Sequence, residues 1–132
     1  MMAKIIHMMV RVVEEARAVA FYRRAFALEI AERLRFADFT LVYLRGTESD
    51  FELELTINDG RAAPYALGEG YGHFAVVVDD LDAEHRRFSE QGLAPTPIKE
   101  LTLDGVRRAR FCFLTDPDGY RIEVLQKIGR YR

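Results

Sequence analysis

Apolar residues recur along this chain with two periods, and the two periods come in the same order twice. Ile5-Ile6-His7-Met8-Met9-Val10-Arg11-Val12 reads as a strand. Val19, Tyr22 and Phe26 then fall at i, i+3 and i+7, the spacing of an amphipathic helix face. Three β-rich stretches follow, near Ile30–Phe36, over Phe39–Leu44 and over Phe51–Ile57. The second half repeats this order. Gly72–Val78 is a strand, and a helix starts at Asp80, a good N-cap. That helix carries Leu81 and Phe88 on one face and stops near Gly92. Strands are expected near Pro95–Leu101 and over Ala109–Leu114 and Tyr120–Leu125. Asp116-Pro117-Asp118-Gly119 joins the last two as a turn, because proline presets φ and glycine accepts a positive φ. The expected fold is α+β: one domain over 1–132 built of two tandem βαβββ modules. Module one covers about 1–60, a Gly/Pro-marked linker about 61–70, and module two about 71–132.

Four polar residues occupy matching places in this repeat. His7 and His73 lie in the opening strands, 66 residues apart, and Glu54 and Glu123 in the closing strands, 69 apart. Side chains alternate faces along a strand. Met8 and Val10 therefore oppose His7, Leu53 and Leu55 oppose Glu54, Phe74 and Val76 oppose His73, and Ile122 and Val124 oppose Glu123. If the apolar faces pack on the helices, the His and Glu side chains point to the concave side of curved mixed sheets. Converging there, two imidazoles and two carboxylates would make an N₂O₂ cup for a divalent metal such as zinc, nickel or cobalt. Such an ion polarises a carbonyl, and a carboxylate beside it moves a proton. Taken singly, each residue has an ordinary explanation. A strand His is commonly packed in a core, Glu54 beside Glu52 fits a solvated face, and Glu123 could pair with Arg121 at the surface. Independent surface placement does not predict the coincidence of all four. His85, flanked by Arg86 and Arg87, reads as helix surface.

Bulk composition narrows the function by exclusion. A net charge of −2 builds no basic field for nucleic acid or an anionic membrane. No apolar run approaches the roughly 18 residues that span a bilayer, and the N-terminus lacks a signal peptide's apolar stretch. Cys112 is the single cysteine, so no internal disulfide can form, which fits a cytoplasmic location.

The motifs resemble the vicinal oxygen chelate superfamily and, within it, the short bacterial glyoxalase I enzymes, the lactoylglutathione lyases. The resemblance runs from about Ile6 to Leu125. It is carried by His7-Met8-Met9-Val10-Arg11-Val12, Ala20-Phe21-Tyr22, Glu54-Leu55-Thr56-Ile57-Asn58, Leu67-Gly68-Glu69-Gly70-Tyr71-Gly72-His73 and Asp116-Pro117-Asp118-Gly119-Tyr120-Arg121-Ile122-Glu123. It implies isomerisation of the methylglyoxal–glutathione hemithioacetal to S-lactoylglutathione, through an enediolate stabilised by the metal. Glutathione would be the cosubstrate. His7, Glu54, His73 and Glu123 would hold the metal, nickel or cobalt being favoured for a short member and zinc an alternative. Glu123 would be the base, with Glu54 assisting. It also implies a homodimer whose sites lie between subunits, His7 and Glu54 of one chain meeting His73 and Glu123 of the other. Arg11 and Asn58 match positions that bind the γ-glutamyl part of glutathione.

Two stretches depart from the family pattern. Phe26-Ala27-Leu28 lacks the glycine that usually ends the first helix, so a different turn is expected. The stretch Ile98–Arg108, read as a loop, lacks the Lys-Gly-Gly whose lysine meets the glycyl carboxylate; Lys99, Arg107 and Arg108 are the candidate replacements. Rival readings are an epimerase, an extradiol dioxygenase or a fosfomycin-modifying transferase, all disfavoured by a Glu in the Glu54 role. A bleomycin-sequestering protein without the tetrad is a non-catalytic rival.

Overall fold

A computed structural model describes residues 2–132. The chain divides into two compact units, Met1–Ala66 and Leu67–Arg132. Each has the same order of elements. The first contains β1 (His7–Arg11), α1 (Glu15–Phe26), β2 (Glu29–Arg35), β3 (Phe39–Arg45) and β4 (Glu52–Asn58). The second contains β5 (Phe74–Val78), α2 (Leu81–Glu90), β6 (Lys99–Leu103), β7 (Val106–Thr115) and β8 (Arg121–Gln126). The sheets are ordered β1-β4-β3-β2 and β5-β8-β7-β6. In each, the opening strand runs parallel to the closing one, and the other neighbours are antiparallel. These are two mixed four-stranded sheets in an α+β fold.

The cores follow the alternation. In the first unit Val10, Val42, Leu44, Leu53 and Leu55 are buried with Ala18, Val19, Tyr22 and Ala25 of α1. In the second, Cys112, Leu114, Ile122 and Val124 are buried with Leu81 and Phe88 of α2. Asp80 caps α2 by accepting a hydrogen bond from the Ala83 N–H at 3.0 Å. Gln126 of β8 secures the same helix end, accepting from the Leu81 N–H and donating to the Asp79 carbonyl.

Three local expectations are corrected. Ala27 does take the left-handed position (φ 55°, ψ 31°), with its N–H on the Arg23 carbonyl and the Leu28 N–H on the Tyr22 carbonyl. The helix therefore ends as a glycine-capped helix would, at a steric cost to the alanine. Ile98–Arg108 is not a loop but the greater part of a hairpin. Asp104 and Gly105, both at positive φ, form its two-residue turn, the conformation that Asp-Gly favours. His85 is not plain helix surface: it is half-buried, and its Nε2 lies 2.9 Å from the Thr96 carbonyl.

Candidate metal centre

β4 and β8 run through the interior of their sheets, so residues on them are flanked on both sides. Glu54 is paired in register with Met9 on β1 and Tyr43 on β3. Glu123 is paired with Ala75 on β5 and Phe113 on β7. Paired residues project from the same face of a sheet. On that face His7 approaches Glu54, with Nε2 3.1 Å from Oε2. In the second unit His73 approaches Glu123, with Nε2 3.5 Å from Oε1. The carboxylates are mostly buried, at 11% and 16% side-chain exposure, while the imidazoles are open at 36% and 42%. Glu54 is therefore not on a solvated strand face. Glu123 takes His73 as its partner, whereas Arg121 lies over the Phe113 ring, 4.0 Å from its centroid.

Local anchors hold each pair. His73 lies one residue before β5, and Tyr71, two residues earlier, fixes that approach. Its hydroxyl donates to the Arg121 carbonyl at 2.8 Å, and its ring meets Tyr120 edge-on. Burial, with the charge of Asp116 behind it, pushes the Tyr71 phenol up to about 12, so it stays a donor. β8 is aimed by the turn before it. The buried Asp116 carboxylate accepts the N–H groups of Asp118 and Tyr120, both at 2.9 Å, while Gly119 supplies φ 95°. In the first unit Tyr43 is paired with Glu54, and its interaction with that carboxylate, then burial and the charge of Glu52, hold the phenol above its ordinary value of 10. The Tyr43 ring also meets His7 edge-on at 5.8 Å.

The predicted substrate-binding residues are placed unequally. Arg11 pairs in register with Thr56, one row beyond Glu54 on the same face. Asn58 follows on β4 and donates to the Tyr65 hydroxyl at 3.2 Å, while Arg61 covers the Tyr65 ring at 4.0 Å. Lys99 pairs with Phe111, two residues from Phe113 and so on the face of the His73–Glu123 pair. Arg107 is engaged elsewhere: it donates to Glu100 at 3.2 Å, and Glu100 is paired with Arg110, which grips Asp82 of α2 on the opposite face. A cleft of about 500 Å³ beside Ala27, Glu29 and Arg45 is lined by none of these residues. Sequence reasoning missed Tyr43 and Tyr65. Tyr43 had a signal: it stands where the repeat places Phe113, opposite the closing-strand glutamate.

Among the described residues no three His, Cys, Asp or Glu side chains are grouped as a metal cage. What each unit offers is one imidazole and one carboxylate side by side. The donor chemistry suits a borderline divalent ion such as zinc, nickel or cobalt, and two such pairs make four donors.

Comparison with known proteins gives a consistent answer. The family model described as Glyoxalase/Bleomycin resistance protein/Dioxygenase superfamily matches residues 4–124. The chain is 34% identical to the lactoylglutathione lyase of Neisseria meningitidis, the match covering 94% of this chain and 91% of that protein. It is 33% identical to a probable lactoylglutathione lyase of Vibrio cholerae, over 93% and 90% of the two chains. Among solved structures, Leishmania major glyoxalase I, described as trypanothione-dependent, superposes with a TM-score of 0.75 at 30% identity, over 96% of this chain and 88% of that one. Glyoxalase I from Zea mays superposes with a TM-score of 0.82 at 26% identity, over 96% of this chain and 45% of that one. With a family model spanning nearly its whole length and two modules of matching design, the chain belongs to the Glyoxalase/Bleomycin resistance protein/Dioxygenase superfamily.

Proposed function

We propose that the protein is a metal-dependent lactoylglutathione lyase, converting the hemithioacetal of methylglyoxal and glutathione into S-lactoylglutathione. The observation that carries this is the repeated pair: His7 beside Glu54 and His73 beside Glu123, at equivalent places in the two units, at 3.1 and 3.5 Å. Its likeness to proteins named lactoylglutathione lyase over nearly its whole length supports the same reading. The four side chains would hold a divalent ion, nickel or cobalt ahead of zinc. When bound, the ion supplies Lewis-acid stabilisation of the charge that develops on the substrate oxygens. A cytoplasmic homodimer is part of the proposal, with His7 and Glu54 of one protomer completing the site of His73 and Glu123 of its partner.

The chain's own residues perform the proton movement. Glu123 takes the proton from the carbon bearing sulfur and returns it to the adjacent carbonyl carbon, while the hydroxyl proton passes to the former carbonyl oxygen, so the net reaction is an isomerisation with no added reactant. Arg11 and Asn58 would receive the γ-glutamyl end of the thiol, where a guanidinium can donate two parallel hydrogen bonds to a carboxylate. For the glycyl carboxylate the register favours Lys99, because Arg107 is already paired with Glu100.

The test is turnover of methylglyoxal plus glutathione by protein reconstituted separately with Ni²⁺, Co²⁺ and Zn²⁺, followed by thioester absorbance. Activity with at least one metal is expected. Silence with all three at verified occupancy would refute the reading. Glu123→Gln should retain most of its metal and lose about 10²–10⁴-fold in kcat, the usual contribution of a general base; normal turnover in that variant rules out its role.

A further inference from the structure

The row beside each His–Glu pair carries a different charge in the two units. Two residues before Glu54, Glu52 is paired in register with His7 and lies 3.7 Å from Arg45, an anion matched by a cation. Two residues before Glu123, Arg121 is paired with Thr115, which has no charge. Among the described residues no carboxylate forms an ion pair with Arg121. Its guanidinium is nevertheless held in place. Arg121 and Glu123 alternate with Ile122 and so share one face of the sheet, the face on which His73 meets Glu123. The guanidinium carbon lies over the Phe113 ring, 4.0 Å from its centroid, and the same ring meets His73 edge-on at 5.3 Å and 75°. One aromatic ring thus touches both the cation and the imidazole. The Tyr71 hydroxyl fixes the backbone beneath by donating to the Arg121 carbonyl at 2.8 Å. Arg121 is exposed. A guanidinium stacked on a ring keeps its N–H groups in its own plane, directed outward, so it can still hold a carboxylate by two parallel hydrogen bonds.

Register gives this cation a place along the substrate. Lys99 is paired with Phe111, two residues to one side of Phe113, and Arg121 with Thr115, two residues to the other. Glu123, paired with Phe113, stands in the row between them. With the thiol half of the substrate running toward Lys99, the aldehyde half points along the same face toward Arg121. Two residues of strand span about 7 Å, which a two-carbon substituent ending in a carboxylate can cover. We propose that Arg121 is a specificity-determining residue that receives a carboxylate on the aldehyde half of the substrate, suiting the chain to 2-oxoaldehydes with an acidic end. The inference rests on the metal-dependent isomerase reading given above and extends it to a substrate class.

The test uses the metal-loaded, full-length protein and the glutathione hemithioacetals of two aldehydes, methylglyoxal and 4,5-dioxopentanoate, a 2-oxoaldehyde that ends in a carboxylate. The readout is the ratio of kcat/KM for the acidic aldehyde to kcat/KM for methylglyoxal. Arg121→Met keeps an unbranched stem to cover Phe113 and removes the charge; it should lower this ratio about 10–100-fold, the usual worth of a hydrogen-bonded charge. Arg121→Lys keeps a cation without the planar fork and should lower it less. An unchanged ratio in Arg121→Met would overturn the inference, whether or not both activities fall, because a merely structural role moves both alike. Equal losses of the ratio in the Met and Lys variants would also overturn it, since charge would then not be what the residue supplies. Wild-type protein that turns over methylglyoxal at the same ratio as Arg121→Met removes only this inference. Wild-type protein silent toward both hemithioacetals, with Ni²⁺, Co²⁺ and Zn²⁺ at verified occupancy, removes the isomerase reading and this inference with it.

Discussion

Two chains, each inactivated in a different module, should restore activity when mixed. The first carries His7→Ala with Glu54→Gln, the second His73→Ala with Glu123→Gln. Each loses one His–Glu pair, two of the four proposed donors, so each alone should fall by more than the roughly 10–100-fold that loss of an outer-shell partner brings. The substitutions suit the local structure. The imidazoles are 36% and 42% exposed, so truncating them leaves open surface and not a sealed cavity. Glutamine keeps the size and shape of the glutamate, and removing both members of a pair leaves no uncompensated charge. If a centre is built from module one of one protomer and module two of its partner, a mixed dimer has one centre stripped of all four donors and one intact. Random exchange makes about half the dimers mixed, each with one live centre of two, so the mixture should reach about a quarter of wild-type turnover. Differently tagged chains, exchanged in mild denaturant and purified through both tags, should reach about half of wild-type per dimer and hold one metal ion each. A doubly tagged species that is verifiably mixed yet no more active than its parents would refute the shared-centre reasoning.

Ala27→Gly should raise the thermal midpoint. The left-handed alanine costs about 1–2 kcal/mol, of which the added freedom of unfolded glycine takes back about 0.4–1, leaving a rise of about 2–4 °C; an unchanged or lower midpoint counts against strain there. Asp116→Ala should destabilise by about 2–4 kcal/mol in denaturant melts, since two backbone N–H groups lose a buried carboxylate, and Asp116→Asn should cost less; equal losses would show that the acceptor is not what matters. Cys112, fully buried and pushed up to about 11 by that burial, should react with a neutral-pH thiol reagent only as fast as the protein opens; rapid labelling of folded protein would contradict its placement.

How much of this was legible in the sequence depended on whether burial left a period to read. β3 and β8 each bury one face, so Val42 and Leu44, or Ile122 and Val124, mark their strands clearly. β6 and the first residues of β7 are exposed on both faces, with Leu101, Leu103 and Val106 more than half exposed among charged neighbours. Leu101 and Leu103 do alternate with Glu100, Thr102 and Asp104, but over too few residues to mark a strand that buries neither face, and Asp104-Gly105 was the clearer hairpin signal. His85 was misjudged because its tie to Thr96 comes from a segment 11 residues away in sequence, which no local pattern reports. At Ala27 a weak local preference lost to the packing of α1, whose face buries Ala18, Tyr22 and Ala25 whichever residue ends the helix.

The duplication itself explains why the proposed donors stood out in the sequence and the proposed substrate contacts did not. A ligand position that serves the same purpose in both modules would appear twice, and the repeat spacing would expose it, as it does the proposed donors His7 and His73 or Glu54 and Glu123. One row further along the same face the modules part company. Arg11 is paired with Thr56 in the first, and Val77 with Leu125 in the second. One module therefore offers a polar row beside its histidine and glutamate, and the other an apolar row in which Val77 is 41% exposed. If one substrate met both rows, their difference would let the protein hold it in a single orientation, which two identical rows could not. A residue that appears once has no internal copy to flag it. Arg11, Asn58 and Lys99 therefore stand out only when register fixes which face they share with the paired His and Glu side chains.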